Sequence, residues 1–358
     1  MKSACINAFT DSVEDIHITE KPLPEPGPGQ IRVRMLMSPV NPSDLNFVHG
    51  TYHAALERII WNHEPRNGGQ MFYDAGHSMA CPQPPYSLGG EGIGIVDAAG
   101  SGLMAKRLLG KRVAIAGGPP NGTWQEFTLA QAMKSVALPD SISDQQGAMF
   151  FVNPVTAWVI TRMVLAVPKG SWLLLTAAGS ALGKSVVRLA RRYGFKTLCV
   201  VRSSHNSDVL RSLGADVVVE TDRQDLISEV FKATRGRGVG HAMDCVGGDL
   251  SAQIIRCLGL DGRLVLYGTL ANQPMELTIR DLMMPAAHIS GFLLPAWLSQ
   301  QSPLTLLQTL RTVKRLMAES LFDAEIEACY PLDQVTQAVK AATQPGRTGK
   351  IMLRMSER

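Results

Sequence analysis

The chain has 358 residues, 45% of them hydrophobic and 18% charged, which is enough to build two domains with buried cores. Thirty-five basic and 31 acidic residues leave a formal charge of +4 with no dominant basic block, so nucleic acid is not an implied partner. The six cysteines (Cys5, Cys81, Cys199, Cys245, Cys257, Cys329) are scattered without a CxxC pair, which argues against both a disulfide framework and a zinc lobe.

Met1–Asp15 lacks the basic-then-apolar pattern of a signal segment. The most apolar stretch, Ala148–Val167, is interrupted by Asn153, Pro154 and Arg162, so a membrane-spanning helix is not expected. These features predict a soluble, cytoplasmic protein with no membrane partner.

The first part reads as strands and loops. Gln30–Met37, Gly92–Ala98 and Lys111–Ile115 are strand-like, and the proline- and glycine-rich run Pro22–Gly29 is a connector that cannot be a helix. An antiparallel β domain is the simplest account. His53–Pro85 has no clear period, and a loop of that length is usually functional or mobile.

From about Ser141 the texture changes. Asn153-Pro154-Val155-Thr156-Ala157 reads as a helix start with Pro near the first turn. Strand-like Trp172–Leu175, Thr197–Val201, Asp216–Val219, His241–Val246, Arg263–Tyr267 and His288–Phe292 then alternate with helix-like segments, among them a helix from Ala181 and Ser207–Leu213. Continuous apolar strands separated by helices predict a doubly wound parallel sheet covered on both faces. Cys199 and Cys245 fall in these runs and are expected as small core residues. Thr305–Met317 and Leu332–Ala341 supply further helices. The last strand, Gly349–Arg354, has no slot in a complete six-strand sheet and is expected to return to the first domain.

The chemistry concentrates at Thr176-Ala177-Ala178-Gly179-Ser180-Ala181-Leu182-Gly183, a glycine-bearing turn between a strand and a helix. Gly179 and Gly183 would let the backbone approach a pyrophosphate, whose charge favours a helix N-terminus. A dinucleotide fold chooses its coenzyme after the second strand. An acidic residue there accepts hydrogen bonds from a ribose 2′-hydroxyl. This chain instead has Arg202-Ser203-Ser204, a cation and two hydroxyls suited to a 2′-phosphate. The sequence therefore points to NADPH and to reduction.

A catalytic zinc needs about three protein ligands. Asn41-Pro42-Ser43-Asp44 and Gly89-Gly90-Glu91-Gly92 offer no Cys or His, and His49, His53, His63 and His77 match no usual ligand spacing. No metal is predicted. A metal-free reductase needs a proton donor, and Tyr52, in Gly50-Thr51-Tyr52, is the best candidate because a phenol stays protonated at neutral pH.

Taken together, these strings resemble the zinc-free branch of the medium-chain dehydrogenase/reductases. The chain is most similar to the NADPH-dependent 2-enoyl thioester reductases, with quinone oxidoreductases as close relatives. The likeness runs nearly end to end, through Asn41–Asn46 with Gly50–Tyr52, Gly89–Gly92, Asn153–Ala157, Val200–Arg202, Asp244–Gly248, Tyr267–Pro274, Gly291-Phe292 and Gly346–Lys350. It implies a Rossmann-type domain over residues 141–295 and a GroES-like catalytic domain over 1–140 and 296–358. It also implies Tyr52 as the acid, and coenzyme contacts from Asn153, Thr156, Gly179, Ser180, Ala181, Leu182, Gly183, Arg202, Ser203, Ser204, Tyr267, Gly268, Thr269, Leu270, Phe292, Leu293, Leu294 and Lys350. A homodimer is implied too.

Two departures stand out. An extra segment of roughly two dozen residues follows Tyr52, long enough to reshape a substrate mouth. Leu293 stands where the family often has Trp. The expected reaction is reduction of an activated C=C bond by NADPH in a water-excluding cleft. The alternatives are an NADPH:quinone oxidoreductase and a non-catalytic NADPH-binding protein.

Overall fold

The computed structural model describes residues 1–53, 55 and 83–356. Most of the 53–85 loop, with His63, His77 and Cys81, lies outside the described residues. The rest divides into two compact units. Unit 1 comprises Met1–Val152, Leu298–Ala318 and Ala324–Arg358; unit 2 comprises Asn153–Trp297 and Glu319–Asp323. The boundary falls after Val152 rather than after the expected residue 140.

In chain order the strands are β1 (Lys2–Ile6), β2 (His17–Glu20), β3 (Gln30–Pro39), β4 (Tyr86–Ser87), β5 (Glu91–Ala99), β6 (Arg112–Ala116), β7 (Phe127–Gln131) and β8 (Val136–Ala137). Then come β9 (Trp172–Leu175), β10 (Lys196–Val201), β11 (Val217–Glu220), β12 (Val239–Asp244), β13 (Leu258–Leu266) and β14 (His288–Gly291), and finally β15 (Ile326–Pro331) and β16 (Lys350–Arg354).

Unit 1 is mainly antiparallel. One sheet runs β2-β1-β4; the other runs β15-β16-β3-β5-β6-β8, with β7 also on β3. The expected return of the chain end takes place here: β16 pairs antiparallel with β3 and parallel with β15. Alternation along β3 sends Ile31, Val33 and Met35 inward, where they pack with Val96, Val113 and Ile115. A second apolar cluster surrounds Trp124 and Tyr86, both essentially fully buried, and includes Leu353 and Val339 from the chain end.

Unit 2 contains a six-stranded sheet, β11-β10-β9-β12-β13-β14, parallel throughout. In chain order this is 3-2-1-4-5-6, the doubly wound order in which ligands bind at the carboxyl ends of the strands. Leu173, Leu174 and Leu175 of β9 are fully buried, as a central strand covered on both faces requires. Cys199 is buried in β10 as expected, but Cys245 lies one residue past β12 and is half-buried.

The helix start expected at Asn153 takes another form. Phe151–Val155 is a π-helical turn with Pro154 inside it, followed by one α turn (Thr156–Val159) and a second π turn (Ile160–Val164). Pro154 stands in the first turn, where its missing N–H costs no bond within the helix. Among the described residues no helix is long and apolar enough to cross a membrane.

Candidate coenzyme and catalytic site

The helix Ala181–Tyr193 begins at Ser180, whose hydroxyl accepts from the Gly183 N–H at 3.1 Å and caps the first turn. Its other end is closed by Gly194 in the left-handed conformation. The turn before it is fixed by Ala177 at φ 45° and by the Ala178 N–H, which donates to the Val200 carbonyl at 3.2 Å. A β-carbon on Gly183 would stand 2.4 Å from the Ala178 carbonyl oxygen, so this glycine is what allows the helix to close on its own turn. One on Gly179 would stand 2.6 Å from the Asn206 carboxamide nitrogen. The room beside Gly179 is thus taken by Asn206, a residue that the sequence reading does not single out.

Arg202, Ser203 and Ser204 follow β10 and are all exposed. Arg202 forms no ion pair with another described residue. Its carbonyl accepts from the Asp222 N–H at 3.1 Å, which continues the β10–β11 ladder past the ends of both strands. The backbone of Arg202 is therefore held at the carboxyl edge of the sheet, and no described residue neutralises its exposed guanidinium.

Tyr267–Leu270 follow β13 on the same edge. The Tyr267 N–H donates to the Asp244 carbonyl at 2.8 Å, and the Leu270 N–H to the Cys245 carbonyl at 3.0 Å. A β-carbon on Gly268 would meet Cys245 at 2.8 Å, so the two loops touch backbone to backbone. Burial and the neighbouring Cys245 push the Tyr267 hydroxyl well above its ordinary value, and burial pushes the Cys245 thiol up to about 11. Both groups stay protonated near neutral pH.

Beneath them, Asp244 is 1% exposed and accepts from the Thr176 hydroxyl at 2.5 Å, from the Val246 and Gly247 N–H groups, and from the Ser251 hydroxyl. This carboxylate ties the ends of β9 and β12 to the helix Gly248–Arg256. Phe292 follows β14, its N–H donating to Leu266; Leu293 is exposed and Leu294 half-buried.

The structure thus collects Gly179–Gly183, Arg202–Ser204, Tyr267–Leu270 and Phe292–Leu294 at one edge of the unit 2 sheet. Asn153 is half-buried and Thr156 buried in the helix that opens this unit. A cavity of about 500 Å³, lined by Leu165, Asp261, Arg263, His288, Ile289 and Ser290, lies toward the opposite ends of β13 and β14 and does not include these residues.

Tyr52 and Lys350 belong to unit 1. Tyr52 is half-buried in a helical stretch, its ring 5.1 Å from that of Phe47. Lys350, expected at the coenzyme, is 9% exposed, and its ammonium donates to the Asn41 side-chain oxygen and to the Val40 carbonyl at 3.4 Å.

Around Lys350 stands a cluster that the sequence shows only as separate strings. The Asn41 side-chain N–H donates to Glu91 at 3.0 Å, and the Asn41 backbone N–H to Asp44 at 2.8 Å. The other Glu91 oxygen accepts from the Phe151 and Val152 N–H groups, both at 2.9 Å. Burial raises the Asp44 carboxyl to about 7 and the Glu91 carboxyl above its usual range, while burial lowers Lys350 to about 8.

Comparison with known proteins agrees with this geometry. A family profile described as "Zinc-binding dehydrogenase" matches residues 181–346. The mitochondrial enoyl-acyl-carrier-protein reductase of Bos taurus is 28% identical over 352 residues, covering 96% of this chain and 86% of its own. A Caenorhabditis elegans protein of the same name is 29% identical over 284 residues, 78% of this chain and 73% of its own. A solved Bacillus thuringiensis structure, assigned as an NADPH:quinone reductase, is 27% identical with a TM-score of 0.85, covering 99% of each chain. The Escherichia coli quinone oxidoreductase, solved with NADPH, shares the fold at TM-score 0.84 and 20% identity over 99% of this chain and 100% of its own.

The chain is thus similar to a zinc-binding dehydrogenase profile over residues 181–346 and, nearly end to end, to enoyl reductases and quinone reductases.

The fold is the one these neighbours share, a Rossmann-type parallel sheet in unit 2 and GroES-like antiparallel sheets in unit 1. The profile's description implies zinc. Among the described residues no group of three or more His, Cys, Asp or Glu side chains could hold a metal ion, and a catalytic zinc needs about three. These residues do not fit a zinc ion.

Proposed function

We propose that this chain is an NADPH-dependent reductase of activated carbon–carbon double bonds, acting on a 2-enoyl thioester or an enone. The observation that carries this reading is Arg202: an exposed, unneutralised guanidinium with two serines at the carboxyl end of the second parallel strand. A carboxylate there would repel a 2′-phosphate; a guanidinium binds one bidentately. The capped helix N-terminus at Ser180 suits the pyrophosphate, because its unpaired N–H groups and dipole favour an anion. The enoyl reductases among the relatives support the double bond as the acceptor, and the quinone reductases among the neighbours keep a quinone as the alternative.

When bound, the reduced nicotinamide supplies the hydride that adds to the β-carbon of the acceptor. The protein's own part is to hold the coenzyme, stabilise the charge that moves to the carbonyl oxygen, and deliver a proton. Tyr52 is the proposed acid at the α-carbon. Its contact with the Phe47 ring restrains a side chain that must present one hydroxyl in one direction. A homodimer completes the proposal. It is supported by β14, an edge strand with exposed residues, and by the exposed apolar side chains of Leu260, Ile279, Met283 and Met284 in the segments around it.

The test is NADPH oxidation over enoyl thioesters, enones and quinones, with NADH as control. Arg202→Ala is expected to raise KM for NADPH on the order of tenfold, the equivalent of losing about 1.4 kcal/mol of contact, and to leave KM for NADH unchanged. Tyr52→Phe is expected to lower kcat on enoyl thioesters about 10²-fold. Equal use of NADH by the unaltered protein would overturn the coenzyme assignment. Full Tyr52→Phe turnover on quinones alone would favour the alternative acceptor.

A further inference from the structure

The cluster of Asn41, Asp44, Glu91 and Lys350 has no part in the reaction just described, although its members are 1%, 1%, 0% and 9% exposed. Burying three ionisable groups is costly unless each is bonded, so the arrangement calls for a reason. Asn41 is the hub: its side-chain oxygen accepts from Lys350, its side-chain nitrogen donates to Glu91, and its backbone N–H donates to Asp44. With the hub on one carboxylate oxygen, the other is free to take the N–H groups of Phe151 and Val152, at 2.9 Å each.

Those two N–H groups open the π turn Phe151–Val155. The first donors of any helix have no partner within it, and Pro154 brings no donor of its own. A carboxylate at that point satisfies two donors at once and sits at the favourable end of the helix dipole. Glu91 is thus a remote N-cap, reaching from β5 to a helix sixty residues away in sequence. The next residue in the turn is Asn153, the first of unit 2, half-buried and with its side chain bonded to no other described residue.

We propose that Glu91, held by Asn41 and Lys350, is a positioning residue that fixes Asn153 for the coenzyme by capping the π turn that carries it. This rests on Asn153 being a coenzyme contact, as the NADPH reading holds. It also gives Lys350 a different task from direct coenzyme contact: its positive charge, with the backbone N–H groups, opposes the rise that burial imposes on the Glu91 carboxyl.

The test is a double-mutant cycle of Glu91→Gln and Asn153→Ala, read as Kd for NADPH on the full chain. Glu91→Gln keeps one acceptor oxygen but sets its new N–H₂ against the Asn41 N–H₂. Each single variant is expected to weaken binding on the order of tenfold. The double variant should be no weaker than Asn153→Ala alone, because a group that acts through Asn153 has nothing left to position. A Glu91→Gln protein that stays folded and binds NADPH normally would overturn the proposal. So would losses that multiply in the double variant, since they would mean that Glu91 acts on binding independently of Asn153. If Glu91→Gln does not fold, Glu91→Asp replaces it in the cycle with the same expectations. Should the unaltered chain bind no NADPH, the coenzyme reading itself fails; a defect confined to the cycle sinks only the positioning role.

Discussion

Asp44 and Lys350 bear opposite charges within one buried cluster, and burial drives each toward neutrality. For Asp44 burial dominates, with the Glu91 carboxylate adding to the rise, while the Asn41 N–H and the Lys350 ammonium oppose it; the result is a carboxyl raised from 3.8 to about 7. A group raised on folding holds its proton in the native state after the unfolded chain has released it. Its contribution to stability is therefore complete below about pH 4 and is lost as pH climbs to about 7. Lys350 runs the other way. Lowered from 10.5 to about 8, it contributes stability above pH 10.5 that is lost as pH falls through 8. Asp44→Asn removes the first of these titrations and leaves the second. The variant's urea midpoint, relative to the unaltered protein, is expected to rise between pH 5 and pH 7.5; a difference that stays flat would contradict the assignment. The strings Asn41–Asp44 and Gly89–Gly92 are visible in the sequence, but a carboxylate with no adjacent His gives no sign that it matters. Nothing local tells that Asn41 meets a lysine 309 positions away.

Among the elements, the glycine turn shows how a local signal and its physical cause can differ. In the sequence both Gly179 and Gly183 suggest room for a pyrophosphate. In the structure the space at Gly183 is bounded by the Ala178 backbone, and that at Gly179 by the Asn206 side chain. A side chain can rotate away, whereas a carbonyl can move only with its turn. Gly183→Ala is therefore expected to cost about 1–3 kcal/mol in urea unfolding and Gly179→Ala less, an order that calorimetry would check independently. The parallel strands β9, β10 and β11 are legible because burial makes them continuously apolar, whereas β14 at the sheet edge is mostly exposed. β2 and β15 are not legible: they are half-exposed and mix polar with apolar residues. The π–α–π helix of residues 151–164 is not legible either. Its apolar residues and Pro154 suggest a helix start, but the Glu91 carboxylate that takes its first two N–H groups comes from another strand and leaves no local signal.

For the whole molecule, the division into two units follows from the change of texture near Ser141, but its details depend on contacts between distant segments. Glu319–Asp323 interrupts the return to unit 1 because Arg192 pairs with Glu319 at 3.0 Å and Arg188 donates to the Asp323 carbonyl at 2.7 Å, both within unit 2. The same unit ends its sheet on β14, where one side of the strand has no described neighbour. An edge strand leaves backbone donors and acceptors open, and proteins normally shield such edges with charge, proline or a covering partner. Here the surrounding segments present Leu260 at 78%, Ile279 at 70%, Met283 at 66% and Met284 at 73% exposure. Apolar side chains so exposed, beside an open edge, are what a self-complementary interface requires, since a two-fold axis brings the same patch from both copies together. Met284→Asp would place two carboxylates across such an axis and desolvate both. Light scattering is expected to show the unaltered chain as a dimer and the variant as a monomer, with the unit 2 fold retained because Met284 lies outside its core. A chain that is monomeric before the substitution would refute the dimer and leave the coenzyme site of unit 2 as it stands.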